Sequence, residues 1–461
     1  MTQICLYCAR DNFELLTTEP LGIKYLVAYL IQQGIANESG ICIADNLDEA
    51  ITFKTDILGI SAVSQVIQDA RDFAKKCKEK VGCLTVLGGY HVTGIPQKLP
   101  EEFDIGVLGE GERTFAEIVS LFKADKLTTE ALKQIKGICY HKNGGIVINK
   151  PREFIENIDL LPRPYRDNKR YLKEICIFTS RGCPYRCIFC ASHKFWGDKY
   201  RLRSANSVVS EINYLVNKYY PEEINILDDL WMFNKKRFRE IAKELIKLRI
   251  SEKVSFAGFC RSNLIGEEEI VLLKQMNYRY VRFGTETGSE ILLKHLKGNN
   301  ISITDHQRVI DLCQKYKIPC LGSFMFGVPG ETKEDLEATI NFLRKNKGKF
   351  GIGGFYLFNP IPGTEIWNWM KDKKMISDDF QFEHLQIDFL KKNFSWDNIL
   401  YFNQDCVLLE EFRKYIEKIK AEFIKTKPDK KTLLSDQLKN HLGKKFTKYA
   451  RKIYHLFSST K

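Results

Sequence analysis

Three cysteines sit close together in TSRGCPYRCIFCASHKFWG. They are Cys183, Cys187 and Cys190, with three and then two residues between them. Thiolates are the usual ligands of iron–sulfur clusters, and spacing this tight lets one loop wrap one cluster. A cubane of four irons needs four ligands. The loop supplies three with no fourth cysteine nearby, which leaves one iron open to a cofactor or substrate. The competing reading is structural zinc, which takes four protein ligands. The nearest fourth ligand is His193, so a Cys₃His knuckle stays open on spacing alone. The chain has 14 cysteines in all. Most of the others stand singly in apolar stretches, such as Cys42 and Cys139, and read as small buried hydrophobes.

The elements that must hold this loop can be read around it. ICIFTS precedes the cysteines as a strand. EINILDD, VSFAGFC, YVRFGTE, CLGSFMFG and GGFYLFN follow as further strands, with amphipathic helices between them. Six strand–helix units predict a partial (β/α)6 barrel over residues 173–370. The cysteines would then lie after the first strand, at the end where such barrels place catalytic groups. Residues 1–136 alternate short apolar strands with helices and predict an α/β, doubly wound, Rossmann-like domain. Gly88 and Gly89 end one of its strands, where open α/β sheets bind ligands. Gly109, Glu110 and Gly111 end the next strand and open a helix, whose backbone N–H groups could hold a polar group. Residues 137–172 read as a hairpin at Asn143-Gly144-Gly145 and a linker. Residues 371–461 read as a helical, basic C-terminal domain.

Composition narrows the class. The chain has 461 residues, 44% of them hydrophobic, enough for two or three domains with a sizeable core. There is no run of about 18 apolar residues to span a membrane. MTQICLYCARDNFE is not a secretory signal, so a cytoplasmic location is expected. The net charge is +13, with the excess clearest from Lys425 to Lys461. That segment could meet a membrane surface or an acidic substrate, or could be a solvated face. No RNA-binding motif with interleaved aromatics is present, and DNA is not an expected partner.

The cysteine loop and the strands behind it resemble the radical SAM superfamily, over roughly residues 170–370. The resemblance implies a 4Fe–4S cluster on Cys183, Cys187 and Cys190 whose open iron chelates S-adenosylmethionine (SAM) and splits it to a 5′-deoxyadenosyl radical. It also implies a set of cofactor-binding residues. Phe189 would pack near adenine. Asp228 would end the second strand, beside Asp229. Arg261 would partner the SAM carboxylate. Gly284 and Glu286 would form the glycine–x–glutamate strand facing the SAM methionine or ribose. Gly327, with Pro329 and Gly330, would shape the turn near adenine. Residues 1–125, with Ser61, Gly88, Gly89, His91, Gly109, Glu110 and Gly111, are similar to the cobalamin-binding domain fused ahead of many radical SAM enzymes. The Asp-x-His-x-x-Gly motif of other cobalamin proteins is absent, and His91 is the only histidine of this domain. Cobalamin would therefore lie base-off.

Together the two resemblances imply a cobalamin-dependent methyltransferase acting at an unactivated carbon. One SAM would methylate cobalamin, and a second would give the radical that abstracts a substrate hydrogen. Further partners would be a small-molecule substrate and an external one-electron donor of flavodoxin or ferredoxin type. The alternatives are a radical SAM dehydratase or cyclase whose cobalamin-type domain serves no methyl transfer, and a basic nucleic-acid-binding protein with a structural metal knuckle.

Overall fold

The computed structural model describes residues 2–9, 19–166, 173–382, 385, 388–389, 394–397 and 399–424. It begins with a seven-stranded sheet. Strands β1 (Ile4–Cys8), β2 (Ile41–Ile43), β3 (Ile57–Ser61), β4 (Leu84–Gly88) and β5 (Ile105–Val107) are followed by a hairpin, β6 (Ile138–Lys142) and β7 (Gly145–Ile148). The order is β2-β1-β3-β4-β5-β6-β7. The first five strands run parallel, and β6 and β7 add antiparallel at the β5 edge. The expected hairpin thus forms, with its turn at Asn143 and Gly144, and it extends this sheet.

The parallel strands are short and apolar because helices cover both faces. Helix Ile67–Val81 buries Ile67, Ala70, Phe73, Ala74 and Cys77, one stripe at helical spacing, and Gly82 ends it at a φ of 71°. Helix Glu112–Lys123 buries Phe115, Ile118 and Val119 in the same way. In the order β2-β1-β3-β4-β5 the connections reverse direction between β1 and β3, which opens a crevice at their carboxyl ends.

The second sheet holds six strands in the order β15-β14-β13-β12-β11-β8. These are β8 (Glu174–Ile177), then, past the small ladder of β9 (Ser180–Arg181) and β10 (Arg201–Leu202), β11 (Glu223–Ile226), β12 (Ser255–Cys260), β13 (Val281–Glu286), β14 (Cys320–Phe326) and β15 (Gly351–Leu357). All six are parallel, each beside its predecessor. This is the partial (β/α)6 barrel. Its crossover helices carry strong starts, including capping boxes at Ser302/Asp305 and Thr332/Asp335. One apolar core joins the two sheets, with Leu87 and Val92 from the first and Leu296, Val328 and Phe358 from the second.

After helix Glu365–Asp372 the described residues up to Val407 form turns and an isolated bridge from Asp388 to Tyr356. Leu408–Lys461 make a separate unit, of which helix Leu409–Phe423 is described. The basic stretch from Lys425 to Lys461 lies outside the described residues. No described helix is long and apolar enough to cross a membrane.

Candidate active site

The cysteine loop leaves β9 at the barrel mouth and is tied at its tip. Ile188 N–H donates to Leu296 O at 3.0 Å, and Ile366 N–H donates to Ile188 O at 3.1 Å. Cys190 N–H closes a turn on Cys187 O at 3.0 Å. All three thiols are partly exposed. Burial pushes the Cys183 and Cys190 thiols up, to about 11 and about 12. Structural zinc takes four protein ligands, whereas three thiolates on a cubane leave one iron open. His193 turns to Asp198, with Nδ1 3.2 Å from Oδ1. The donor set fits the cluster better than the knuckle.

Arg261 follows β12 and reaches this loop. Its Nη1 lies 3.5 Å from Cys187 Sγ, its Nη2 donates to Lys297 O, and the guanidinium stacks 3.8 Å from the Tyr185 ring centroid. Its Nε is buried without an acceptor. Glu286 ends β13 at a φ of 62°, a left-handed conformation that costs a glutamate energy and persists only when its surroundings enforce it. Here they do: Lys297 Nζ donates to Glu286 Oε1 at 2.8 Å and to Gly284 O at 2.7 Å. A Cβ on Gly284 would lie 2.0 Å from Glu286 Oε1. The glycine is what lets the carboxylate fold back across its own strand. Phe189 packs against the shared core, half-buried. Gly327 takes a φ of 76°, and its N–H donates to Glu331 Oε2 at 2.6 Å.

Asp228 is engaged within the protein. It accepts from Thr179 N–H at 2.6 Å and from the Thr179 and Ser180 hydroxyls at 2.5 Å each, clasping the ends of β8 and β11. Its neighbour Asp229 stands nearer the cysteines, and burial together with the Asp228 charge pushes it up to about 6.

In the first sheet, Ser61 and Gly88 end β3 and β4 in register. A Cβ on Gly88 would meet little but backbone, while one on Gly89 (φ 97°) would press to 2.6 Å of Ala62 O. Gly88 therefore leaves room at its strand end, where open α/β sheets bind ligands, while Gly89 is pressed against the chain's own backbone at Ala62. His91 is buried, with Nδ1 3.0 Å from Ser64 Oγ and its edge on Phe382. Burial holds it down to about 4. Gly109 N–H donates to Thr93 Oγ1, which donates in turn to Gly89 O. Gly111 caps the following helix without a side-chain bond. Gly109 and Glu110 line a cavity of about 320 Å³ shared with Phe154, Lys194 and Phe195.

Glu110 does something the sequence does not announce. It accepts from Arg181 at 2.7 Å, from Arg201 at 2.8 Å and from Ile155 N–H at 2.9 Å, while Glu112 takes the other arm of Arg181 at 2.6 Å. Arg181 is two residues ahead of Cys183, so this buried network binds the cysteine loop to the turn after β5. Tyr90, next to Gly89, packs on Phe195 at 4.4 Å. Sequence reasoning missed Arg181, Lys297 and Tyr90. Only the charge of Arg181 beside the cysteines hinted at a role.

Comparison with known proteins gives a consistent picture. Residues 177–343 match the radical SAM superfamily profile, and residues 15–119 match the B12 binding domain profile. The chain is 33% identical over 377 residues to the uncharacterized methyltransferase PH0819 of Pyrococcus horikoshii, covering 77% of this chain and 78% of that one. It is 27% identical over 337 residues to the anaerobic magnesium-protoporphyrin IX monomethyl ester cyclase of Cereibacter sphaeroides, covering 70% of this chain but 54% of that protein's length. Among solved structures, the radical S-adenosylmethionine methyltransferase TsrM of Kitasatospora setae, with cobalamin and a [4Fe-4S] cluster bound, superposes with a TM-score of 0.67 at 18% identity, over 81% of this chain and 75% of that one.

Proposed function

The chain belongs to the radical SAM superfamily, with a B12 binding domain ahead of the barrel, and from that membership we propose that it is a cobalamin-dependent methyltransferase acting at an unactivated carbon of a small molecule. When bound, the 4Fe–4S cluster and SAM supply a 5′-deoxyadenosyl radical, and cobalamin supplies the methyl carrier. The chain's own residues bind and orient these groups. Cys183, Cys187 and Cys190 would hold three irons, and Arg261 would set a positive charge beside them. Glu286, held by Lys297, would accept hydrogen bonds from SAM. Ser61 and Gly88 would seat the corrin at the strand ends, with Gly89 making the tight turn beside them. Buried aromatic contacts around Tyr90 and Phe195 would keep water from the space between.

One observation supports the reading: the carboxyl end of the first sheet and the cysteine loop are held together by buried contacts. The carboxyl end of the first sheet meets the cysteine loop through Glu110–Arg181 and Tyr90–Phe195. Transfer from a carrier to a carbon radical requires both within reach of one substrate, and that is the geometry a methyltransferase needs. The likeness to the cyclase keeps a second radical reaction in view. An external flavodoxin- or ferredoxin-type protein would supply the electron.

The test is anaerobic reconstitution with iron, sulfide and cobalamin, followed by metal and corrinoid quantification and assay for 5′-deoxyadenosine. Methyl transfer predicts stoichiometric corrinoid and loss of both iron and SAM cleavage in Cys183→Ala, with Cys260→Ala unaffected. SAM cleavage without any retained corrinoid would favour the cyclase-like reading. Stoichiometric zinc in place of iron would defeat both.

A further inference from the structure

The barrel interior below the cysteines contains a cation without an anion. Arg282 is the second residue of β13 and shares its face with Gly284, two residues on, before a bulge that separates Gly284 from Glu286. In register with it lie Phe259 on β12 and Leu321 on β14. Arg282 Nη2 donates to Gly353 O at 2.9 Å and to Tyr356 OH at 3.3 Å, across the width of β14. Its Nε is buried and has no acceptor. Among the described residues no carboxylate pairs with it, whereas Arg181, Arg201 and Arg203 each have one.

The surroundings look prepared for a guest. Phe259 is 46% exposed although it sits in the middle of the sheet, and the Arg282 guanidinium lies over its ring at 4.4 Å. Gly351, Gly353 and Gly354 on the edge strand β15 present no side chains, and a Cβ on Gly354 would collide with the Tyr356 ring at 2.4 Å. One rung higher, paired with Gly284, Ser323 is buried with its hydroxyl unpartnered. A half-buried guanidinium beside an exposed ring and an unused hydroxyl is costly unless something completes it.

We propose that Arg282, Phe259 and Tyr356 form the substrate pocket of this enzyme and that the substrate carries a carboxylate on a flat or apolar body. The guanidinium fork suits a planar carboxylate, and the ring beneath it suits the body. This site is distinct from that of SAM. Arg282 lies roughly 13 Å along the strand from Glu286, at about 3.3 Å per residue. Phe259 is two residues, roughly 7 Å, below Arg261 on the same scale. A substrate anchored by its carboxylate here would raise its far end toward the cysteine loop. The inference rests on the proposed reaction only in calling the guest a substrate.

The experiment uses the reconstituted holoenzyme with benzoate as probe and benzyl alcohol as its neutral counterpart, each followed by anaerobic equilibrium dialysis. Benzoate should bind the wild type more tightly than benzyl alcohol by about tenfold or more, as a charge-assisted hydrogen bond warrants. Arg282→Gln should abolish that preference, and Arg282→Lys, keeping charge but losing the fork, should retain part of it. Benzyl alcohol should bind all three alike. Equal benzoate affinity in wild type and Arg282→Gln overturns the proposal. If Arg282→Gln takes up no iron, the wild type decides alone, and equal affinity for the two probes overturns the proposal. Arg282-dependent benzoate binding in a protein that retains no corrinoid would leave the anion site standing and remove methyl transfer.

Discussion

At the scale of single residues, the site depends on one strained carboxylate. Glu286 holds a left-handed backbone at a cost of roughly 1–3 kcal/mol, and the Lys297 salt bridge keeps it there. Gly284 is the permissive partner. Gly284→Ala should displace the carboxylate while leaving the cysteine loop untouched. We expect full iron content and a SAM affinity lower by about tenfold or more, measured by equilibrium dialysis, since hydrogen bonds to charged groups are worth about 1.5–3 kcal/mol. An unchanged affinity would take Glu286 out of the SAM site. Replacing Lys297 with Met should do the same by a different route, because Glu286 would lose the cation that holds it folded back.

Among the elements, the turn after β14 is the most sensitive to pH. Glu331 is fully buried and accepts only the Gly327 N–H through one oxygen, while the other has no partner. Burial lifts it from 4.5 to about 8. A carboxyl with a raised folded pKa binds its proton more tightly in the folded state, so the stability it confers is present below about pH 4.5 and is lost as pH rises through about 8. Glu331→Gln, which cannot ionise, should flatten that loss. The variant should melt above the wild type at pH 8.5 and show little difference at pH 5. Equal melting at both would mean Glu331 is solvated in solution. The turn after β4 makes a spectroscopic prediction. His91 is turned to Ser64 and buried, so it is not offered to a metal from below. Bound cob(II)alamin should therefore give a base-off paramagnetic resonance spectrum without nitrogen superhyperfine splitting, the same in wild type and His91→Ala. Strong splitting lost in His91→Ala would show that the histidine swings out to ligate.

For the whole molecule, the decisive feature is that the two sheets are fastened by buried charge. Glu110→Ala would leave Arg201 without its carboxylate and Arg181 with one in place of two. Removing one partner of a buried pair costs about 3–5 kcal/mol, so denaturant unfolding should show a loss of that order. Because Arg181 precedes Cys183 by two residues, cluster absorbance should fall in step with unfolding of the first sheet. Glu153→Ala removes an exposed pair with Lys136 and should leave the midpoint where it was. A Glu110→Ala protein within 1 kcal/mol of the wild type would show that the lock is incidental.

Much of this was legible in the chain before folding. Periodicity marks the strands because strands buried on both faces must be apolar throughout. The cysteine spacing marks the cluster loop because ligands to one cluster can come from one short segment. Gly89 is visible because glycine alone tolerates its φ of 97° and the close approach to Ala62. The remaining features depend on separation in sequence. Glu110 and Arg181 are 71 residues apart and meet only when the two sheets pack. Asp228 reads as a cofactor-binding candidate, and in the fold it accepts three hydrogen bonds from Thr179 and Ser180, 49 and 48 residues before it. Arg282 looks like any strand arginine until the barrel closes, with Phe259 on one side and the glycines of β15 on the other and no acid among them. Local patterns encode which residues can do chemistry. Which of them stay free to do it is settled by neighbours from distant segments, because only packing decides whether a charge is already neutralised.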